Sequence, residues 1–183
     1  MRTVVSFVAF IFFSLGNGHA QQVTISGKVG NRPLAWSDFT GKPDQSSLYY
    51  ANTFWNISYG YSDEDFKGNN VTIKDLAVNL QFVNDKSWKK EDKISGALLK
   101  HEQGHFDIAK LCQLEIISLV KNASLHKDDY RAQIKDIFRE SLQKYTALED
   151  RYDAETAHSM NKDKQEEWNK FILSETQRLQ KQQ

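Results

Sequence analysis

Near residue 92 the hydrophobic period of this chain changes. Upstream, apolar residues recur at every second position, with glycine, asparagine and proline between the runs. Downstream they recur at helical spacing, and glycine and proline nearly vanish. A period of two builds a sheet face and a period of 3.6 builds a helix face, so the two halves must pack against each other. In the first half, "QVTISGKV" alternates Val23 and Ile25 with polar neighbours, as a half-buried strand does. "FWNISYGYS" sets Trp55, Ile57, Tyr59 and Tyr61 on one face, and "DLAVNLQFV" does the same with Leu76, Val78, Leu80 and Phe82. "WSDFTGKPD", residues 36–44, reads as a turn-rich connector.

In the second half, Ile94, Leu98, Ile108, Cys112, Ile116 and Leu119 mark a first helix from about Asp92. Ile134, Ile137, Phe138, Leu142 and Tyr145 mark a second, over about 128–149. A third, over about 161–181, carries Trp168, Phe171, Ile172 and Leu179 and ends in a Gln/Lys-rich tail expected to fray. The expected class is α+β: a small antiparallel sheet over residues 22–84, then about three helices over 92–181, as one domain spanning 21–183.

The first twenty residues carry a different signal. Arg2 precedes an apolar run from Val4 to Leu15, which ends at the small residues of Gly18-His19-Ala20. That run is shorter than the roughly 20 apolar residues a bilayer span needs and has the form of an export signal cleaved after Ala20. The expected location is secreted or periplasmic, with no stable membrane insertion after cleavage. Cys112 is the only cysteine, so neither an intramolecular disulfide nor a cysteine-ligated zinc cluster can form. Lys and Arg together number 24, as do Asp and Glu; losing Arg2 leaves 23 against 24, a net charge of −1. That balance favours neither nucleic acid nor an anionic membrane.

The chemistry concentrates in "KHEQGH", residues 100–105. Residues four apart on a helix share a face, so His101 and His105 can point at one ion. Glu102 lies about 100° around the axis from His101, where its carboxylate can reach a water without occupying a metal position. The pattern fits Zn²⁺ held by two neutral imidazoles, with Glu102 as general base. Ala97-Leu98-Leu99 and Phe106 flank the motif, which places it on a buried helix, where unpartnered histidines would be costly. A catalytic zinc needs a third protein ligand, and the longer form H-E-x-x-H-x-x-G-x-x-H is absent, with Ile108 and Leu111 at its glycine and histidine positions. His19 leaves with the signal, and His126 sits in a polar stretch between helices. His158, in "RYDAETAHS" just before the third helix, is the first choice; Asp153 and Glu155 in the same stretch are the alternatives.

Taken together, "LLKHEQGHFDIA", "RYDAETAHSMNKDKQEEW" and "LAWSDFTGKPD" resemble the predicted secreted zinc-dependent protease family, domain of unknown function 922. The similarity runs from about Leu34 to Trp168. It implies a zincin-like fold with H-E-x-x-H on the first long helix, and a peptidase activity. By motif match it carries over His101, Glu102 and His105, and then Tyr152, Asp153, Thr156 and His158. Asp107 stands where many zincins have an apolar residue; it either orients a ligand imidazole or is a solvated acid. Tyr152 either stabilises an oxyanion or, as favoured here, packs beneath the loop, and Thr156 is expected to bond the local backbone. Trp36 and Trp55 are read as core, Gln165 and Trp168 as docking the third helix against the site, and Cys112 as a small buried apolar residue.

The expected function is an exported zinc metallopeptidase that binds one Zn²⁺ and cuts a peptide or protein substrate. Two alternatives stand beside it. One is a non-catalytic, metal-stabilised binding module presenting tyrosine and tryptophan side chains. The other is an amidase or peptidase acting on cell-wall peptides.

Overall fold

The structure is a computed structural model describing residues 21–183, so the expected signal at 1–20 lies outside the described residues. It is a mixed α+β arrangement of small sheets and three long helices. The largest sheet has the order β2-β1-β7-β4, from β1 (Gln21–Ile25), β2 (Lys28–Val29), β4 (Trp55–Gly60) and β7 (Ala77–Phe82). β7 is central. Its Val78, Leu80 and Phe82 are wholly buried, each stabilising the fold by about 1.5–3 kcal/mol.

The expected antiparallel sheet is corrected here, because β7 pairs antiparallel with β4 and parallel with β1. Alternation reports which face a residue takes and not the direction of its neighbour, so the parallel pairing left no trace in the pattern. "QVTISGKV" is likewise not one strand. Ser26 and Gly27 both adopt positive φ, the conformation of a tight two-residue hairpin turn, and separate β1 from β2.

Two further sheets were not foreseen. β5 (Asp63–Lys67) and β6 (Asn70–Lys74) form a hairpin, extended by β9 (Leu125–His126). His126 thus belongs to a short strand and is exposed. β3 (Ala51–Asn52) pairs with β8 (Trp88–Lys89). The 36–44 connector is held at Asp38 and at Gly41. Asp38 accepts hydrogen bonds from the Ala35 N–H (2.8 Å), the Ser26 hydroxyl (2.8 Å) and Arg32 (2.6 and 2.8 Å). Gly41 passes so close to the 85–87 backbone that a Cβ would lie 2.8 Å from the Asp85 and Ser87 carbonyl oxygens.

α1 (Gly96–Asn122) is the spine of the molecule, with buried residues around most of its circumference. It packs on β7 and on α2 (Tyr130–Thr156) and α3 (Lys162–Gln180). Gln113, wholly buried, donates from its amide to the carbonyls of Gln22 (2.8 Å) and Val78 (2.7 Å), tying α1 to both parallel strands. α1 begins later than the expected Asp92, because the Ser95 hydroxyl caps it by accepting from the Leu98 N–H (3.0 Å). Ile94, outside the helix, and Leu119, within it, are both exposed.

α2 runs seven residues past the expected end at 149, to Thr156. α3 ends at Gln180; Leu179 is buried, and the Gln183 amide reaches the Leu114 carbonyl at 3.4 Å. Among the described residues, no helix is long and apolar enough to cross a membrane.

Candidate metal centre

Two antiparallel-running stripes make the site. On α1, His101, Glu102 and His105 are all buried. On α2, Glu149, Tyr152, Asp153 and Thr156 fall at i, i+3, i+4 and i+7, one face of the helix, turned toward α1. Gly104 permits the approach of the two helices: a Cβ there would fall on the Tyr152 phenol. That phenol is buried, donates to the His101 carbonyl (3.0 Å), and its ring stacks on the His101 imidazole at 4.7 Å between centroids. Burial pushes its pKa up, so it stays a neutral donor.

Three imidazoles converge on one oxygen. Asp153 Oδ1 lies 2.9 Å from His105 Nε2, 3.1 Å from His101 Nε2 and 3.3 Å from His158 Nδ1. The other ring nitrogens decide what those contacts mean. Gln165 donates from its amide nitrogen to Tyr152 (2.7 Å) and Asn169 (3.1 Å), so its oxygen is the group facing His101 Nδ1 at 3.2 Å. Nδ1 therefore carries the proton and Nε2 a lone pair. In the same way Glu149 Oε1 accepts from the Trp55 indole (3.0 Å) and from His105 Nδ1 (3.2 Å).

In the neutral tautomers, then, His101 and His105 present bare Nε2 atoms to a carboxylate oxygen. Lone pairs facing one another at about 3 Å repel unless a proton or a metal cation sits among them. Without a metal the proton wins at His105. Burial opposes the charge, but hydrogen bonds to Asp153 and Glu149 push its pKa up to about 10.

The donor set fits a metal ion. One ligand atom each from His101, Asp153 and His158 lie within 4.8 Å of one another, so this group could hold one. Separations of 2.9–3.3 Å between the carboxylate oxygen and the imidazole nitrogens are close to the roughly 3.4 Å edge of a tetrahedron with bonds of about 2.1 Å. The two buried helix histidines already have their far nitrogens engaged, as metal-bound imidazoles do.

His158 reaches the site by an unusual route. Ala157, His158 and Ser159 all have positive φ (46°, 51° and 78°), a left-handed turn of three non-glycine residues directly after α2. Each costs about 1–2 kcal/mol. The His158 N–H donates back to the Asp153 carbonyl (3.1 Å), so Asp153 faces this residue through both its backbone and its side chain. His158 is the most exposed of the three imidazoles, and its ring packs on Tyr49 at 4.4 Å.

Glu102 accepts at Oε2 from the Thr53 hydroxyl (2.7 Å), beside β3. It lines a cleft of about 430 Å³ together with His101, His105, Asp153 and His158. Among the described residues, the cleft wall also carries Glu149 and Asp150 and neither lysine nor arginine, an electrostatic setting that attracts cations.

Other expected residues lie elsewhere or act differently. Glu155 points away from the site and accepts from the Trp168 indole (2.9 Å), so it is not brought to the histidines. Asp107 orients no imidazole; it accepts from Gln103 (2.8 Å) and Lys110 (3.0 Å) on its own helix. Thr156 donates to the Tyr152 carbonyl (2.6 Å). Trp55 is buried yet also lines the cleft, whereas Trp36 packs against Phe39. Glu149 and Thr53 were missed. A helix read through to residue 156 would have put Glu149 on the same face as Asp153, whereas nothing local marks Thr53.

Residues 21–159 match a family model described as "Bacterial protein of unknown function (DUF922)". No curated protein and no solved structure matches the chain.

Proposed function

We propose that this chain, which belongs to the DUF922 family of bacterial proteins of unknown function, is an exported zinc-dependent hydrolase of peptide bonds. The observation that carries the proposal is the convergence of His105, His101 and His158 on Asp153 Oδ1, with Glu102 on the same cleft wall. His101, His105 and Asp153 are the ligands. All three are buried, unlike His158, and they stand on two helices locked together by Gly104 and Tyr152. His158, the farthest and most exposed of the imidazoles, lines the same cleft. This assignment takes Asp153, the alternative to His158, as the third protein ligand that a catalytic zinc would need.

When bound, zinc supplies the Lewis acidity that polarises an amide carbonyl and acidifies water. Glu102 takes the proton of the attacking water and returns it to the leaving amine, and Thr53 holds one carboxylate oxygen in place. His158 donates a hydrogen bond to the carbonyl oxygen as negative charge develops there. Gln165 and Glu149 keep the Nδ1 protons on His101 and His105, which leaves both Nε2 atoms for the ion. The apolar run of the first twenty residues supports export.

The test uses the zinc-loaded chain, a labelled-peptide library and a chelator. Glu102→Gln should retain zinc while cleavage falls by at least about 100-fold. Unchanged turnover in that variant overturns the mechanism. One observation favours a second reading, a metal-stabilised binding module: four donors are present, and structural zinc sites are closed by four. Under that reading no peptide shows chelator-sensitive cleavage, and His158→Ala loses metal as completely as Asp153→Ala.

A further inference from the structure

Nine large hydrophobic side chains are exposed among the described residues, and four of them, Leu48, Tyr49, Tyr50 and Met160, line the cleft that holds the histidines. Leu48 is 92% exposed and Met160 75%. An apolar side chain left in water forgoes about 1.5–3 kcal/mol of burial, and several gathered at one mouth mark a binding surface.

They come from two separate segments. Leu48, Tyr49 and Tyr50 lead into β3, and that approach is held down where Lys90 bonds the Ser47 carbonyl through its side chain (2.7 Å) and the Tyr50 carbonyl through its N–H (2.8 Å). Met160 follows the left-handed turn, so the backbone that sets His158 over Asp153 also carries Met160 to the rim. Among the described residues, the titratable groups of the cleft other than tyrosine and histidine are carboxylates: Glu102, Glu149, Asp150 and Asp153.

We infer that this rim is a specificity site for a bulky apolar side chain beside the scissile amide, in a polypeptide without acidic residues at that point. The inference rests on the hydrolase reading and deepens it. A substrate side chain of leucine or phenylalanine size covers Leu48 and Met160, whereas alanine, glycine or a charged side chain leaves them wet. Carboxylates on the wall repel an acidic residue placed among them. Denatured or loosely folded proteins carry such apolar side chains. Short peptides built from small and charged residues, as in cell-wall stems, do not.

The test separates binding from cleavage. Binding of labelled peptides that differ at one position is measured by fluorescence anisotropy on the zinc-loaded Glu102→Gln chain. Cleavage of the same peptides is measured on the unaltered chain. Leucine and phenylalanine peptides should bind at least about tenfold tighter than alanine, glycine or aspartate peptides, and kcat/KM should follow the same order. Leu48→Ser and Met160→Ser, both at exposed positions that the fold tolerates, should each reduce the preference about threefold or more and raise KM for the apolar peptides. Equal binding of all the peptides, or an undiminished preference in both serine variants, overturns the inference. Selective binding without chelator-sensitive cleavage upholds the specificity site and overturns the hydrolase reading instead.

Discussion

Gly104 and Tyr152 are the pair on which the spacing of the two site helices depends. A methyl group at Gly104 would fall on the phenol, and the phenol cannot move without disturbing the His101 ring stacked on it. Gly104→Ala should therefore cost about 1–3 kcal/mol of stability, read from the urea midpoint, and weaken metal binding. Removing the phenol oxygen frees part of that space, so Gly104→Ala with Tyr152→Phe should cost less than the sum of the single changes. Strict additivity would show that the two residues do not compete for one volume. Glu149 acts at the same scale by holding His105 Nδ1. Glu149→Gln should lower metal affinity about 10–100-fold by competition titration, and an unchanged affinity would show that His105 needs no such partner. His101, Glu102 and His105 were legible from their spacing alone, because helix geometry converts i and i+4 into one face. Glu149 was not legible, because its role depends on where the partner helix ends.

Among the elements, the helices were read well until buried polar residues interrupted their pattern. The inward face of α2 carries Glu149, Asp153 and Thr156 where apolar residues would otherwise recur, so the apolar period fades at 149 while the helix continues to Thr156. That is why Asp153 fell beyond the expected end of the second helix and stands instead as a buried residue on it. Alternation in β4 and β7 was legible for the same reason that it was incomplete: it names faces, not partners, so the parallel β1–β7 pair and the β3–β8 pair went unread. The left-handed turn after α2 was equally silent, since alanine, histidine and serine give no sign of positive φ. Ser159, at φ 78°, adopts it without the help of glycine. Ser159→Gly should raise stability by about 0.5–1 kcal/mol in denaturant unfolding and leave metal affinity unchanged. A loss of stability would mean that the serine side chain holds the turn.

Across the whole molecule, the fold and the site respond to different conditions. The connector at 36–44 depends on Asp38, whose carboxyl is held down to about 2, first by hydrogen bonds from Arg32, against burial, and then by the Ala35 N–H and Ser26. A folded pKa below the unfolded value near 3.8 makes stability rise with pH. This contribution is present in full above about pH 4 and is lost as pH falls toward 2. Asp38→Asn should therefore be less stable than the unaltered chain at neutral pH, by an amount that shrinks over that window. A difference independent of pH would contradict the assignment.

The candidate metal centre responds instead to the supply of metal. Its most direct test is metal content per chain after loading with zinc and desalting, compared across the unaltered protein, Asp153→Ala and His158→Ala. The expected result is one ion in the unaltered chain, essentially none in Asp153→Ala, and close to one in His158→Ala. Full zinc content in Asp153→Ala would contradict the central claim that the carboxylate on which three imidazoles converge is a ligand.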